Sequence, residues 1–457
     1  MKVFIAVVIC KVLYFVGKLV GKGSSLPGQI ALKVCPDVLG SLKLPKIIIA
    51  VTGSNGKTST AELIAHALEQ SGLSVGLNHE GSNQTEGVAT LLLRVAAFSG
   101  AIGRDALVLE CDERYARKIF QAVKPTALIV TNLCRDQLSR NGHFEFIGDS
   151  IRAAIEAAGT DTKLILNADD PYVSALAKVG QSPCPPPDVV WFGVGADLKM
   201  GDFDFKVHSC YDDGAFCPIC KSRMSYDYRV AGHYGAFRCS SCGFARHEPD
   251  AQISSINYDS GEAVISLPGL PSVRSHLAIS SLVGAYNLAA AIAAVTFAGV
   301  SLEDAAQALN NYQLKGGRTM SLSFGGREGV LLISKHENSF AYNQSLSWAV
   351  SQGKPCTVLI LVDAISRKYY TSETSWFWDI DVDILSHDIV ENIILAGRYV
   401  NELAARFAMS SVAQDKIWCV EEVGLLREFV LSNASGVLYA VTCFSDKEKL
   451  LRGLRSC

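Results

Sequence analysis

The segment Gly53–Thr58, with the sequence Gly-Ser-Asn-Gly-Lys-Thr, constrains the fold of this chain more than any other. It follows the apolar run Ile47–Val51 and precedes the helix-like run Ala61–Leu68. A strand, a glycine loop ending in Lys-Thr, and a helix in this order are typical of a phosphate-binding loop. The alternative is a plain glycine turn after a buried strand, but it explains neither the Lys-Thr pair nor the helix. The segment therefore predicts a nucleotide-binding α/β domain.

Each residue type in this loop has a chemical task. Glycines at positions 53 and 56 let backbone N–H groups approach phosphate oxygens, and the Lys57 ammonium can reach the terminal phosphates of a nucleotide. The Thr58 hydroxyl is a candidate Mg2+ ligand. The two glycines are three positions apart, so the loop is shorter than the usual pattern. The residues predicted to bind nucleotide here are Gly53, Asn55, Gly56, Lys57, Thr58 and Ser59.

Length and composition indicate a globular protein of two or three domains. The chain has 457 residues, of which 49% are hydrophobic and 19% charged. The formal net charge of −3 gives no electrostatic reason to expect nucleic-acid binding. Fourteen cysteines, most of them single and within apolar stretches, fit a reducing interior better than a secreted disulfide scaffold. We therefore expect a cytoplasmic protein.

Apolar runs and helix-like runs alternate after the phosphate-binding loop. Such alternation predicts a largely parallel sheet covered on both faces, with functional residues at the carboxyl ends of its strands. The further strands predicted for this domain are Ser74–Leu77, Ala106–Glu110, Ala127–Thr131, Lys163–Asn167 and Val189–Gly193. A smaller α/β domain follows, with predicted strands at Gly329–Ile333, Thr357–Val362, Asn392–Ala396, Lys416–Val420 and Val437–Val441.

Three polar clusters stand at the ends of predicted strands: Glu110–Glu113, Thr131–Gln137 and Asn167–Pro171. Each cluster alone also fits a solvated loop. Three of them in one phosphate-loop domain favour a functional site, because parallel strands end at the same edge of a sheet. A carboxylate across from Thr58 would hold Mg2+ directly or through water, and Glu110 is the first choice.

Four cysteines, Cys217, Cys220, Cys239 and Cys242, form the pattern C-x2-C-x18-C-x2-C. Four thiolates at this spacing predict a closed tetrahedral zinc site. Such a site has no open coordination position, so we assign it a structural and not a catalytic role. A zinc ribbon can also bind nucleic acid, but the charge around this one is mixed. We interpret it as an insertion at about residues 205–250.

The N-terminal run Val3–Val20 is mostly apolar but is interrupted by Lys11 and Lys18. A lysine near the centre of a membrane span is costly, so we predict an amphipathic helix that packs on the protein or lies on a membrane surface. A signal or anchor segment is the alternative. The predicted domains are then an N-terminal helix and linker at 1–45, a central ATPase domain at 46–315 and a C-terminal α/β domain at 316–457.

These features together resemble the Mur ligase family, whose ATP loop is similar to Thr52–Thr58. The resemblance implies a central P-loop ATPase domain followed by a C-terminal Rossmann-like domain, with ATP and Mg2+ as cofactors. It also implies four further nucleotide-binding residues, in the adenosine-binding segment, on the Asn-containing helix and at the Gly-Arg hinge: Asn167, Asp170, Asn287 and Arg318.

Within that family the chain is most similar to one branch. That branch carries a four-cysteine ribbon and a Thr-Asn-Leu-x-Arg-Asp-Gln sequence, which Thr131–Gln137 reproduces; Ser25–Gly28 and Gly81–Asn83 are also similar. The resemblance implies ATP-dependent amidation of the D-Glu α-carboxylate of lipid II through an acyl phosphate. Ammonia would come from glutamine hydrolysed by a GatD-type glutaminase subunit, and Lys57 and Glu110 would act in catalysis.

In this branch a carboxylate of the C-terminal domain completes the catalytic triad of the glutaminase. We favour Asp363, at the end of a predicted strand, and the alternatives Glu373, Asp379 and Asp381 stay open. The chain departs from the family pattern at two places, Tyr370–Thr374 and Lys335–Asn338, both in the C-terminal domain.

Two other functions are weighed against amidation. A Mur or folylpolyglutamate-type ligase would join an amino acid to a carboxylate, but those enzymes carry a Mg2+-binding histidine where this chain has Gln137. A zinc-ribbon NTPase that binds nucleic acid or acts as a scaffold is disfavoured by the near-neutral charge.

Overall fold

A computed structural model describes residues 1–19, 24–78, 82–178, 188–195, 212–230, 232–257, 260–279, 281–310, 312–314, 319–365 and 373–455. The chain forms two compact units. The first comprises residues 1–133, 145–199 and 214–314, and the second comprises 134–144, 200–213 and 315–457. The N-terminal segment 1–45 thus belongs to the first unit, and residues 134–144 belong with the C-terminal region.

The secondary structure alternates between strands and helices in both units. In chain order the strands are β1 Ile47–Thr52, β2 Val75–Leu77, β3 Ala106–Glu110, β4 Ala127–Val130, β5 Lys163–Asn167, β6 Val189–Val194, β7 Ser225–Val230, β8 Tyr234–Arg238, β9 Ala251–Asn257, β10 Glu262–Ser266, β11 Val273–His276, β12 Thr319–Phe324, β13 Arg327–Ser334, β14 Cys356–Leu361, β15 Val390–Ala396, β16 Ile417–Val420 and β17 Val437–Cys443. The helices are α1 Lys2–Leu19, α2 Leu26–Val34, α3 Lys57–Gln70, α4 Thr85–Val95, α5 Glu113–Ala122, α6 Leu138–Asn141, α7 Phe144–Ala158, α8 Pro171–Ser174, α9 Leu282–Phe297, α10 Leu302–Leu309, α11 Ser339–Ser351, α12 Val400–Ala408, α13 Leu426–Asn433 and α14 Lys447–Arg455.

The first unit is built on a nine-stranded sheet of order β11-β10-β9-β6-β5-β4-β1-β3-β2. The strands from β2 to β9 along this order pair in parallel, and β10 and β11 form an antiparallel edge. The predicted α/β fold is confirmed, including the parallel sheet. Strand β1 lies between β3 and β4, so the loop that follows it emerges beside the polar ends of both neighbours.

The four cysteines flank a small hairpin of β7 and β8. Its apolar centre consists of Phe237 and Phe244, whose ring centroids lie 5.1 Å apart. Both side chains are buried in a cluster that also contains Ala175 of the main unit. The ribbon is therefore packed onto the sheet domain and is not a free appendage.

The amphipathic helix predicted near the N-terminus is α1, which packs against α2 and α4. Its inner side chains Ala6, Val7 and Cys10 are fully buried. Among the described residues, no helix is both long enough and apolar enough to cross a membrane.

The second unit has a six-stranded sheet of order β12-β13-β17-β14-β15-β16. All neighbouring pairs are parallel except β12 with β13, which form an antiparallel edge hairpin. Apolar clusters cover both faces of the sheet. Strand β12 and helix α11 are absent from the sequence prediction. Helix α11 is rich in serine and aromatic residues, which are weak helix formers, and Asn338 caps it by accepting a hydrogen bond from the Ala341 N–H.

Candidate active site

The glycines of the phosphate-binding loop stand where any side chain would collide with a neighbour. Gly53 and Gly56 have φ angles of 122° and 84°, in the left-handed region. A Cβ at Gly53 would lie 2.3 Å from Thr131 Oγ1, and one at Gly56 would lie 2.3 Å from Asn287 Oδ1. Glycine is therefore required at both positions by backbone conformation and by close approach.

The end of β4 holds the loop in shape. Thr131 Oγ1 and Asn132 Nδ2 donate to the Asn55 carbonyl oxygen at 2.7 and 2.9 Å, and the Asn55 N–H donates to Asn132 Oδ1 at 2.8 Å. The Ser54 N–H donates to the Asn132 carbonyl oxygen at 2.9 Å. The first residues of the predicted cluster Thr131–Gln137 thus brace the loop, which reduces the entropy cost of binding phosphate.

Lys57 is the first residue of α3 and is 6% exposed. Its ammonium donates to Glu113 Oε1 at 2.6 Å and also contacts the Gly53 carbonyl oxygen. Glu113 belongs to the predicted cluster at the end of β3, but its partnership with Lys57 is not deducible from the sequence. The pair keeps a buried ammonium compensated at the mouth of the loop.

Thr58 and Glu110 lie together, as the sequence predicts. Thr58 Oγ1 donates to Glu110 Oε2 at 2.8 Å, and Asn83 Nδ2 donates to the other carboxylate oxygen at 2.9 Å. Glu110 is only 4% exposed. The Asn78 side chain accepts a hydrogen bond from the Glu110 N–H and donates one to the Glu110 carbonyl oxygen. A buried carboxylate beside a hydroxyl, held by neutral donors, is a suitable oxygen ligand set for Mg2+.

Asn167 and Asp170 are buried and join neighbouring strand ends. Asn167 Nδ2 donates to the Thr131 carbonyl oxygen at 3.0 Å, and Asp170 Oδ2 accepts from the Leu133 N–H at 2.8 Å. Asp170 also caps α8 through its other oxygen. Asn287, on α9, accepts from Thr60 Oγ1 at 3.3 Å. Arg318, the remaining predicted nucleotide-binding residue, lies outside the described residues.

Asp169 is fully buried and forms a hydrogen-bond network that sequence reasoning missed. Its carboxylate accepts from Arg246 Nε at 2.5 Å, from the Tyr286 hydroxyl at 2.8 Å and from the Val194 N–H at 2.8 Å. Burial raises the pKa of Asp169, and the Arg246 guanidinium opposes that shift. The ribbon adds a further contact, because the Gly235 N–H donates to the Asp169 carbonyl oxygen at 2.8 Å. The segment after β5 is thus fixed from the ribbon side.

The four cysteine sulfurs converge as predicted. All of them lie within 4.8 Å of one another, with Cys217 and Cys239 buried and Cys220 and Cys242 exposed. Burial raises the pKa of Cys217 to about 12, whereas hydrogen bonds from Ser222 lower the pKa of Cys220 to about 6. Four thiolates at this separation repel one another unless a cation neutralises them. The cluster therefore fits a closed tetrahedral metal site with sulfur ligands.

Asp363 of the second unit lies just beyond β14 and has a side chain 20% exposed. It accepts from Lys449 Nζ at 2.5 Å and from the Arg398 N–H at 3.2 Å. Its own N–H donates to the buried Asp446 carboxylate at 2.7 Å. Asp363 is therefore a fixed, partly exposed carboxylate with a cationic partner.

The three alternative carboxylates have different surroundings. Asp379 is buried and receives a hydrogen bond from Arg135 Nη1 at 3.0 Å; burial raises its pKa and the guanidinium opposes this. Asp381 is buried as well. Glu373 is exposed, and a hydrogen bond from Ser375 lowers its pKa. Of the four, Asp363 and Glu373 offer the more accessible carboxylates.

The segment Lys335–Asn338, where the sequence departs from the family pattern, contacts the segment 134–144 within the second unit. Asp136 accepts from Lys335 Nζ at 3.2 Å and from Asn338 Nδ2 at 2.7 Å. Glu337 accepts from the Ser139 N–H and hydroxyl at 2.8 and 2.7 Å, and burial raises its pKa. Gln137 and Glu337 have φ angles of 50° and 47°, which is unusual for residues with side chains. Sequence reasoning did not anticipate this polar cluster.

Comparison with known protein families finds a match in each of the two units. A family described as the Mur ligase middle domain matches residues 51–237, and one described as MurT ligase C-terminal matches residues 336–442. The matched ranges contain the phosphate-binding loop in the first case and Asp363 in the second.

Relatives of similar length are found among bacterial proteins. The lipid II isoglutaminyl synthase (glutamine-hydrolyzing) subunit MurT of Staphylococcus aureus is 29% identical over 415 residues, which cover 90% of this chain and 89% of that protein. The protein of the same description from Streptococcus pneumoniae is 28% identical over 88% of this chain and 86% of its own length.

Solved structures share the fold across nearly the whole chain. A pseudomurein peptide ligase type C from Methanothermus fervidus has a TM-score of 0.69 at 20% identity, covering 92% of this chain and 80% of that one. The MurF ligase of Thermotoga maritima, solved in complex with ADP, has a TM-score of 0.60 at 15% identity, covering 94% and 83%. At these identities the likeness establishes the fold alone.

Proposed function

The chain belongs to the Mur ligase family, and from this premise we propose that it is the ATP-dependent synthetase subunit of a lipid II isoglutaminyl synthase. The reaction is amidation of the D-Glu α-carboxylate of lipid II to D-isoglutamine, a step of peptidoglycan biosynthesis. The MurT-type C-terminal match and the relatives of that name support the assignment.

The observation that carries the proposal is the braced phosphate-binding loop with the hydrogen-bonded pair of Thr58 and the buried Glu110 beside it. A carboxylate is a poor electrophile and must be activated before ammonia can attack it. In the proposed reaction, a substrate carboxylate oxygen attacks the γ-phosphorus of ATP and ADP leaves. Ammonia then attacks the acyl carbon, phosphate leaves and a proton is released. Lys57 offsets charge on the transferred phosphoryl group, and Thr58 and Glu110 are the proposed Mg2+ ligands.

The nucleotide-binding set is proposed to comprise the loop and the residues around it. Gly53, Gly56 and Ser59 would offer backbone or hydroxyl donors to phosphate, and Asn55, whose N–H donates to Asn132 Oδ1, would hold the loop in shape beside them. Buried Asn167 and Asp170 would act by shaping the strand ends and not as exposed ligands, since their side chains bond within the unit. Asn287, beside Gly56, and Arg318 complete the proposed set.

Ammonia is proposed to come from a partner subunit of the GatD glutaminase type, because the relatives are described as glutamine-hydrolyzing subunits. We propose Asp363 as the carboxylate that orients the partner's histidine. Its partial exposure and its fixed backbone support this role. Glu373, Asp379 and Asp381 remain the alternatives.

Zinc is the proposed occupant of the four-cysteine cluster, because thiolate ligands in a closed tetrahedral set favour it over magnesium or calcium. Its role is to hold the ribbon in the conformation in which Arg246 and Gly235 contact Asp169.

The proposal is tested by incubating the purified chain with ATP, Mg2+, ammonium and lipid II. We expect one ADP and one phosphate for each amide formed, with the amide located on the D-Glu residue by mass spectrometry. Hydroxylamine in place of ammonium should trap the acyl phosphate as a hydroxamate. Incorporation of an amino acid in place of ammonia would contradict the proposal and favour a peptide-forming Mur ligase.

A further inference from the structure

Helix α1 has an inner face that is firmly held by the first unit. Cys10 is fully buried, and Lys11 Nζ donates to the Arg94 carbonyl oxygen at 2.8 Å. The Arg94 guanidinium in turn donates to the Tyr14 hydroxyl at 2.7 Å. These contacts with α4 fix the rotation of α1 about its own axis, so the direction of its outer face is defined.

The outer face of α1 is apolar and exposed. It consists of Phe4, Ile5, Val12, Phe15 and Val16, which are 51%, 40%, 56%, 70% and 51% exposed. At 3.6 residues per turn, these five positions fall within one arc of about 120°. An arc of this width, continuous along the helix, differs from the scattered apolar residues that ordinary protein surfaces carry.

A neighbouring loop enlarges the same apolar surface. The ring of Phe98, 58% exposed, lies 5.5 Å from the ring of Phe4. The Lys11 ammonium lies 5.8 Å from the centre of the Phe98 ring. Phe4 on the helix and Phe98 on the loop before β3 therefore lie side by side on the same surface.

Lysines border the apolar arc on both sides. Lys2 and Lys18 are exposed and project beyond opposite margins of the arc, by the same helical geometry. The range 2–19 contains no aspartate or glutamate. An apolar stripe with basic margins and no acidic residue is complementary to a bilayer with anionic headgroups, into which a helix sinks lengthwise.

We propose that the outer face of α1, together with Phe98, docks this protein onto an anionic lipid bilayer, with the helix lying in the plane of the interface. Lysines extend to the headgroups while the apolar side chains enter the acyl boundary. A spanning orientation is disfavoured, because Lys11 lies in mid-helix and the inner face is already packed on protein. The inference deepens the proposed function and rests on it for its purpose: the acceptor, lipid II, is itself anchored in a bilayer.

The test is sedimentation of the full chain with vesicles, without ATP or acceptor. We expect binding to vesicles of phosphatidylglycerol and phosphatidylcholine, and much weaker binding to phosphatidylcholine alone or at high salt. The double variant Phe4→Ser/Phe15→Ser should lose at least about tenfold in partitioning, since each phenylalanine buries a large apolar area on insertion. Phe146→Ser is the matched control, because Phe146 is 65% exposed on α7; it should bind like the parent protein.

Either of two vesicle results would overturn the inference, and a result on oligomeric state would be a third. One is absence of parent binding to anionic vesicles; the other is equal binding by the parent and the Phe4/Phe15 variant. A dimer of the parent in solution that the variant cannot form would assign the face to a second copy of the chain and also refute membrane docking. Amidation of detergent-dispersed lipid II is measured separately. If the variant keeps that activity but loses vesicle binding, docking and chemistry are distinguished; if the parent lacks the activity, only the proposed function fails.

Discussion

Both units hold a carboxylate at the carboxyl end of an interior parallel strand, yet the two groups are prepared for different partners. Glu110 ends β3, is 4% exposed and receives hydrogen bonds from a hydroxyl and an amide, both neutral. Asp363 follows β14, is partly exposed and receives its hydrogen bonds from the Lys449 ammonium and a backbone N–H.

Their surroundings suit the two carboxylates to different chemistry. Glu110 is buried and accepts hydrogen bonds from neutral donors, a setting in which a bound cation would offset the charge of a carboxylate. Lys449 already compensates Asp363, so that carboxylate is better suited to accept a hydrogen bond than to bind a divalent cation. A carboxylate at the end of a parallel strand is therefore proposed to bind a metal in one unit and to orient a partner in the other.

The largest expected effect comes from replacing the cation of the phosphate-binding loop. Lys57→Met should lower the rate of ATP-dependent amidation by about 10³-fold or more, because charge on the transferred phosphoryl group loses its compensation. Initial rates of ADP release measure the effect. Lys46→Met, an exposed lysine just before β1, is the control and should be nearly unchanged.

Lys57→Met also leaves Glu113 buried without its ammonium partner, so its thermal unfolding must be followed in parallel. A folded Lys57→Met protein with near-normal turnover would exclude the phosphate role. Lys57→Arg keeps the positive charge but changes the shape of the side chain. It therefore distinguishes an effect of lost charge from an effect of altered shape.

Glu110→Gln is expected to have the next largest effect. The amide keeps the size of the side chain but removes the charge proposed to hold Mg2+, so turnover should fall about 100-fold at fixed Mg2+. The Mg2+ concentration at half-maximal rate should rise. Glu69→Gln, exposed near the end of α3, is the control. An unchanged Mg2+ dependence would show that Glu110 does not bind the metal. The proposed difference in role between Glu110 and Asp363 would then be wrong.

Asp363→Asn should have the smallest effect on the reaction of this chain itself. Amidation with free ammonium should survive, whereas amidation with glutamine and the glutaminase partner should be abolished. Asp388→Asn, on an exposed segment of the same unit, should affect neither assay. Full glutamine-dependent activity in Asp363→Asn would transfer the role to Glu373, Asp379 or Asp381.

Much of the fold could be predicted because its signals are local. The strands Ala106–Glu110 and Lys163–Asn167 have the predicted limits, since each is a short apolar run that ends at a polar cluster. Strand β11, with the sequence Val-Arg-Ser-His, was missed because its apolar content is low. Its place at the edge of the sheet depends on pairing with β10, which no local pattern reveals.

The candidate site likewise contains residues that the sequence predicts and residues that it does not. Sequence indicated Gly53, Gly56, Lys57 and Thr58 through their spacing, and it indicated Glu110 as the residue that ends a buried strand. It could not indicate Asn83 as the second partner of Glu110, because an asparagine in a loop has many common uses.

Three features of this protein follow from its sequence alone: the glycine loop, the four thiols at the spacing of a tetrahedral metal site, and the alternation of strands and helices that gives parallel sheets. These are consequences of residue type and short spacing. Which buried charges compensate each other depends on the tertiary fold. Arg246 reaches Asp169 across 77 positions of sequence and Lys57 reaches Glu113 across 56, because desolvated charges require partners that folding alone brings within a few ångströms.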